Sequence, residues 1–236
     1  MKKQKIEYQI NGATFEGYLV HKDNIPAQCP AVIVVHDWSG RNEFADKKAE
    51  QIAELGYMGF AIDMYGKGKV GQTKEEKMPL IQPFLKDRHL VLSHITAALN
   101  TLKKIPHVNH HNIAAIGFCF GGLCVLDLAR AGTHIKGVVS IHGRFDRPEG
   151  LATHKMPAKV LALHGYDDPQ APPEGLKAFA EEMKTAEADW QVHFYGNTLH
   201  AFTNPQANDL AFGTMYNQTA NQRSWINMKD FLEEIF

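Results

Sequence analysis

The chain has 236 residues, 44% of them hydrophobic and 22% charged, with a formal net charge of −1. That composition fills one core and is short for two enzyme domains, so a single domain over residues 1–236 is expected. Lys, Arg, Asp and Glu are spread evenly, which excludes the basic stripe that a phosphate backbone needs, so no nucleic acid partner is expected. Met1-Lys2-Lys3 is basic like a signal-peptide start, but Gln4-Lys5-Ile6-Glu7-Tyr8 stands where an apolar core would follow. No apolar run is long enough to cross a bilayer, so the expectation is a soluble cytoplasmic protein with no membrane partner. Cys29, Cys119 and Cys124 are odd in number and lack ligand-pair spacing, which argues against a disulfide framework or structural zinc and directs attention to one reactive thiol.

Glu7 to Val20 reads as two alternating segments hinged at Asn11-Gly12, an antiparallel hairpin. Short apolar runs then alternate with amphipathic stretches: Ala31 to Val35, then Glu43 to Leu55; Met58 to Ile62, then Leu80 to Leu102; Ile113 to Ile116, then Leu123 to Ala131. Val138 to Ile141 follows, then Val160 to Leu163 with Pro173 to Thr185, and Trp190 to Tyr195 with Tyr216 to Phe236. Buried strands alternating with helices specify an α/β fold, a mostly parallel doubly wound sheet after an N-terminal hairpin. Asp63 to Lys77, with Gly66, Gly68 and Gly71 among charged residues, reads as a surface loop, with a lid as the alternative.

In such sheets chemistry collects at the carboxyl ends of strands. His36-Asp37, Cys119, His142 and Asp167-Asp168 all fall there, and His200 follows the last strand. Gly117-Phe118-Cys119-Phe120-Gly121-Gly122, between a predicted strand and a predicted helix, has the form of a nucleophile elbow with Cys in place of Ser. The small residues let strand and helix approach, and the positive end of the helix dipole favours a thiolate at Cys119. Elbow hydrolases run nucleophile, acid, base along the chain, and here Asp167-Asp168 and His200 follow Cys119 in that order. Asp168 is preferred as the acid because Pro169 restricts its backbone to an extended conformation. Cys124, one turn into the helix, reads as a small buried hydrophobe. His107, His110 and His111 precede the Ile113 strand at its amino end and read as a solvated loop, not a metal site.

The sequence resembles the dienelactone hydrolase (carboxymethylenebutenolidase) family of α/β-hydrolases over nearly the whole chain. The motifs that carry the resemblance are Val35-His36-Asp37-Trp38-Ser39-Gly40, Gly56-Tyr57 with Asp63-Met64-Tyr65, the Gly117 to Gly122 elbow, Gly165 to Pro169, and His200-Ala201-Phe202. The resemblance implies Cys119 as nucleophile, Asp168 as acid, His200 as base, and backbone N–H groups of Phe120 and Trp38 as the oxyanion hole. It also implies an acidic residue at Asp37, where well-known members have Glu. Those members hold a substrate carboxylate with arginines, one of them four residues after the catalytic His, where this chain has Asn204; Arg88 is a candidate replacement cation. His36 and His142 read as pocket-lining or as satisfied half-buried histidines.

The expected chemistry is hydrolysis of activated esters, enol lactones or thioesters through a thioester intermediate, with a small-molecule substrate and no metal or organic cofactor. Two other readings stay open: a redox or electrophile sensor using a reactive Cys119, and a small-molecule-binding protein that has kept the fold. The oligomeric state is not specified by the sequence.

Overall fold

The computed structural model describes residues 1–150 and 154–236, which cluster into two compact units, Met1–Ile116 and Gly117–Phe236. The fold is mixed α/β with a mostly parallel sheet and antiparallel N-terminal strands.

In the first unit, β1 (Lys2–Ile10) and β2 (Ala13–His21) pair antiparallel around Asn11 and Gly12, both at positive φ (50° and 82°) as a tight two-residue hairpin requires. β3 (Cys29–Val35) runs parallel to β4 (Met58–Ile62), and β4 pairs antiparallel with β2. Side chains alternate across β4: a Cβ on Gly59 would lie 2.2 Å from the Ala49 carbonyl of α1 (Glu43–Glu54), while Phe60 packs on Tyr8 on the other side. Tyr8 continues through Phe15 to His94 of α3 (Arg88–Leu102), so helices cover both faces of these strands.

The single helix expected over Leu80 to Leu102 is two. α2 (Lys74–Lys86) starts earlier, inside the Asp63 to Lys77 stretch, because Thr73 and Glu76 form a reciprocal capping box. Pro79 and Pro83 lie within α2, which ends at Asp87, and Asp87 in turn caps α3 through the His89 N–H. The remainder of that stretch is pinned: Asp63 accepts from the Tyr65 and Gly66 N–H groups, Lys67 donates to Thr14, and Gly71 donates to the Ser39 carbonyl at 2.9 Å. β5 (Val108–Phe118) begins five residues before Ile113, so His110 and His111 lie on its first turns of pleat and not in a preceding loop.

In the second unit, β6 (Gly137–Ile141), β7 (Lys159–Gly165) and β8 (Trp190–Tyr195) are parallel in that order. α4 (Phe120–Arg130) meets the Ser140 face, since a Cβ on Gly122 would lie 2.8 Å from Ser140 Oγ. α6 (Gln218–Ile235) meets the opposite face, where a Cβ on Gly137 would strike Phe231 and Ile235. α5 (Leu176–Thr185) brings Phe179 onto Phe145, which stacks on His164 of β7. Arg130 is buried at the end of α4 and holds Asp127, Glu182 and the Phe145 carbonyl, tying α4 to α5 and to the chain after β6. A small hairpin that sequence patterning does not reveal, β9 (Asn208–Asp209) with β10 (Thr214–Met215), follows His200.

Candidate active site

β5 ends at Phe118 and α4 starts at Phe120, leaving Cys119 alone in the turn at φ 54°, ψ −112°. A non-glycine residue holds such a backbone only where its surroundings compel it, and here the compulsion is the close approach of strand and helix. A Cβ on Gly117 would lie 2.0 Å from the Gly121 carbonyl oxygen, so only glycine fits. Cys119 is partly exposed, whereas Cys124 is fully buried in α4 and Cys29 is buried with its thiol toward the Gly56 carbonyl.

Asp168 and His200 meet. Asp168 Oδ2 lies 2.7 Å from His200 Nδ1, and Asp168 Oδ1 accepts from the Gln170 and Ala171 N–H groups, which fixes the carboxylate. Asp168 is 1% exposed, while Asp167 points to solvent. His200 Nε2 is buried with no conventional hydrogen bond among the described residues. Burial disfavours a charged ring, yet the negative charges of Cys119 and Asp168 and the Asp168 hydrogen bond outweigh it and push the His200 pKa up to about 10.

The hairpin after His200 holds the base from both sides. The His200 N–H donates to the Gly213 carbonyl at 3.0 Å and its carbonyl accepts from the Met215 N–H at 3.1 Å. Gly213 adopts φ 74°, and a Cβ there would lie 2.2 Å from Pro169 Cγ, so this glycine lets the acid loop and the base loop touch. Sequence reasoning missed Gly213; its signal is a lone glycine, which marks any turn.

His142 takes both ring nitrogens into hydrogen bonds, one with the Cys119 backbone N–H and one with Thr203 Oγ1. His164, also within this unit, is buried against Phe145, its ring centroids 4.1 Å apart, and burial pushes its pKa down to about 3, so it stays neutral. Asn204 Oδ1 accepts from the Gln206 N–H, a local turn contact.

The remaining expected residues belong to the first unit. Asp37 Oδ1 accepts from the Ser39 N–H at 2.8 Å, and Trp38, half-buried, receives the Tyr65 hydroxyl on its carbonyl and the Lys77 ammonium over its ring. His36 is a satisfied core histidine: its Nδ1–H donates to the Asp37 carbonyl, its Nε2 accepts from the Met64 N–H, and burial lowers its pKa. Arg88 opens α3, half-buried. No group of His, Cys, Asp or Glu side chains among the described residues is arranged to hold a metal ion, and no helix there is long and apolar enough to cross a membrane.

Residues 15–236 match the family model of the dienelactone hydrolases. The solved structure of m3DLH is 33% identical, with a TM-score of 0.94 over 100% of this chain and 98% of its own. A dienelactone hydrolase-like promiscuous phosphotriesterase from metagenomic libraries is likewise 33% identical, with a TM-score of 0.93 over 100% of this chain and 98% of its own. A carboxymethylenebutenolidase homologue of Mus musculus is 27% identical over 77% of this chain and 74% of its own length.

Proposed function

The chain belongs to the dienelactone hydrolase family of α/β-hydrolases, and from that membership we propose that it hydrolyses activated esters, enol lactones or thioesters through a thioester on Cys119. The observation that carries the reading is the 2.7 Å contact of Asp168 with His200 beside a cysteine at a strained strand-to-helix turn. The proton of the Cys119 thiol rests on His200, the thiolate attacks the carbonyl carbon, and the oxyanion is held by the Phe120 N–H at the start of α4. The Trp38 N–H is the second donor that the family pattern carries over. The imidazolium then protonates the departing alkoxide.

The elevated pKa of His200 serves the first half-reaction and relaxes for the second. Once Cys119 is acylated its negative charge is gone, and with it one of the causes that hold the proton on His200. The His200 pKa then falls, which suits the ring to act as the general base that activates water. A thiolate leaves more readily than an amide nitrogen or an unactivated alkoxide, which limits substrates to those with good leaving groups. Phosphotriesters with an aryl leaving group form a second substrate class, favoured by the 33% identity to a promiscuous phosphotriesterase.

The test is turnover of 4-nitrophenyl acetate with a burst equal to the enzyme, followed by mass detection of the acyl group on the Cys119 peptide. An acyl group found elsewhere, or peroxide-reversible oxidation of Cys119 with no turnover of any ester, would overturn the reading.

The substrate carboxylate has lost one anchor. Asn204 offers no charge, and a charge-assisted bond contributes roughly 1.5–3 kcal/mol, or about tenfold to a hundredfold in kcat/KM. Dienelactone is therefore expected to be turned over less efficiently than an uncharged enol lactone of similar size, and Asn204→Arg to raise dienelactone activity. Efficient dienelactone turnover that collapses in Arg88→Ala would instead make Arg88 the anchor.

Gly213→Ala is expected to cut kcat by about tenfold to a hundredfold with little change in KM, because the added carbon pushes the His200 and Pro169 loops apart. Steady-state kinetics checks this, and unchanged kcat would mean that the Pro169 ring yields instead.

A further inference from the structure

His142 follows β6 with φ 42°, a left-handed backbone, and its ring is 2% exposed. Its Nδ1 lies 3.0 Å from the Cys119 backbone nitrogen and its Nε2 lies 2.9 Å from Thr203 Oγ1. A backbone N–H only donates, so the ring nitrogen facing it must accept. The proton of the neutral ring then sits on the other nitrogen and is donated to the Thr203 hydroxyl. The ring is thereby neutral and held in one tautomer. One end grips the nucleophile's own backbone and the other grips the residue three places after the base.

Further contacts give this arrangement a direction. The His142 ring meets the His200 ring edge-to-face, with centroids 5.0 Å apart and planes at 64°, and Phe118 and Phe202 flank it at 6.2 and 5.3 Å. Cys119 shares its N–H between His142 and the Ile141 carbonyl, each at 3.0 Å, so the imidazole adds a second acceptor at the one residue whose backbone is strained. An apolar ring of the same size would pack against Phe118 and Phe202 but leave that second acceptor out and leave Thr203 Oγ1 without its partner. A charged ring would set a second cation against His200.

We infer that His142 is a positioning residue, a neutral strut that sets the separation of Cys119 and His200 by bonding the backbone of one and the loop of the other. The inference rests on the proposed roles of Cys119 and His200. His142 transfers no proton and touches no substrate.

Substitutions at both ends of the strut test this. The Oδ1 of Asn can stand where Nδ1 stands, and Asn tolerates a left-handed backbone better than most residues, so His142→Asn keeps the bond to the Cys119 N–H. His142→Phe keeps the packing alone. The expected result is a fall in kcat of about a hundredfold for His142→Phe with KM within about threefold, and recovery of most of that loss in His142→Asn. Thr203→Val is expected to lower kcat about tenfold and Thr203→Ser to restore it. The pseudo-first-order rate of Cys119 alkylation by iodoacetamide is read in parallel and should fall in the same order.

Wild-type kcat in His142→Phe, a loss confined to KM, or His142→Asn no better than His142→Phe would overturn the strut. If His142→Phe does not fold, as thermal unfolding would reveal, the Thr203→Val and Thr203→Ser pair decides. Failure of the hydrolase reading shows separately, as turnover that survives Cys119→Ala. In that case the alkylation rates, which need no turnover, still judge the strut: unchanged rates in His142→Phe and Thr203→Val would remove it.

Discussion

Cys119→Ala is expected to lower turnover of an activated ester by about four to six orders of magnitude, while Cys124→Ala leaves it within about threefold. The size follows from the loss of covalent catalysis itself: without the thiol, the Phe120 donor and the Asp168–His200 pair can only orient water. The contrast between the two cysteines rests on placement. Cys119 stands partly exposed at the strained turn, and Cys124 is fully buried one turn further along α4, where it packs as a small hydrophobe. Cys119→Ser is the informative companion. It keeps the geometry but offers an alcohol whose proton is far harder to remove, so it is expected to recover only a small part of the loss. Wild-type activity in Cys119→Ala, or comparable losses at both positions, would remove Cys119 as nucleophile.

Asp168→Asn is expected to lower kcat by about ten-thousandfold, against about twofold for the exposed Asp167→Asn. The larger loss reflects the 2.7 Å bond that selects the His200 tautomer and supports its charge. The substitution also carries a signed pH effect. His200 is pushed up to about 10, so its imidazolium persists through neutral pH and is lost as pH rises through that value. The kcat/KM profile, which reports the free enzyme, should therefore fall on an alkaline limb near that pH. Removing the Asp168 charge lowers the folded pKa, so the limb moves to lower pH in Asp168→Asn.

Stability follows the same sign. A raised histidine contributes stability that is fully present below its unfolded value, about 6.5, and is lost as pH rises through the folded one. Between those two values the wild-type melting temperature should decline more than that of Asp168→Asn. A pH–rate profile and thermal melts across that window check both statements. An alkaline limb unmoved by Asp168→Asn would show that another group controls it.

The strand-and-helix alternation was legible because buried parallel strands are continuously apolar, and β4, buried throughout, begins and ends where its apolar run does. The break at Asp87 was not legible. The apolar spacing runs through it without interruption, and only the Asp87 side chain's choice to cap α3 separates the two helices. The early start of α2 likewise depends on a capping box set among charged residues that periodicity reads as loop.

At the site, the sequence by itself determined the chemical inventory: a cysteine at a glycine-flanked turn, then an acidic turn, then a histidine, each local and each tied to its neighbours by backbone geometry. Only the tertiary structure decided which atoms meet. The choice of Asp168 Oδ2 for His200 Nδ1, the bracing of His200 by the Gly213 and Met215 backbone, and the use of both His142 nitrogens all join residues far apart in the chain. Periodicity and turn chemistry act over a few residues and set where a side chain leaves the backbone. Which partner it then reaches is fixed by how β6, β7 and the loops after them pack against α4, because a hydrogen bond forms only within about 3 Å and these partners lie far apart in the chain.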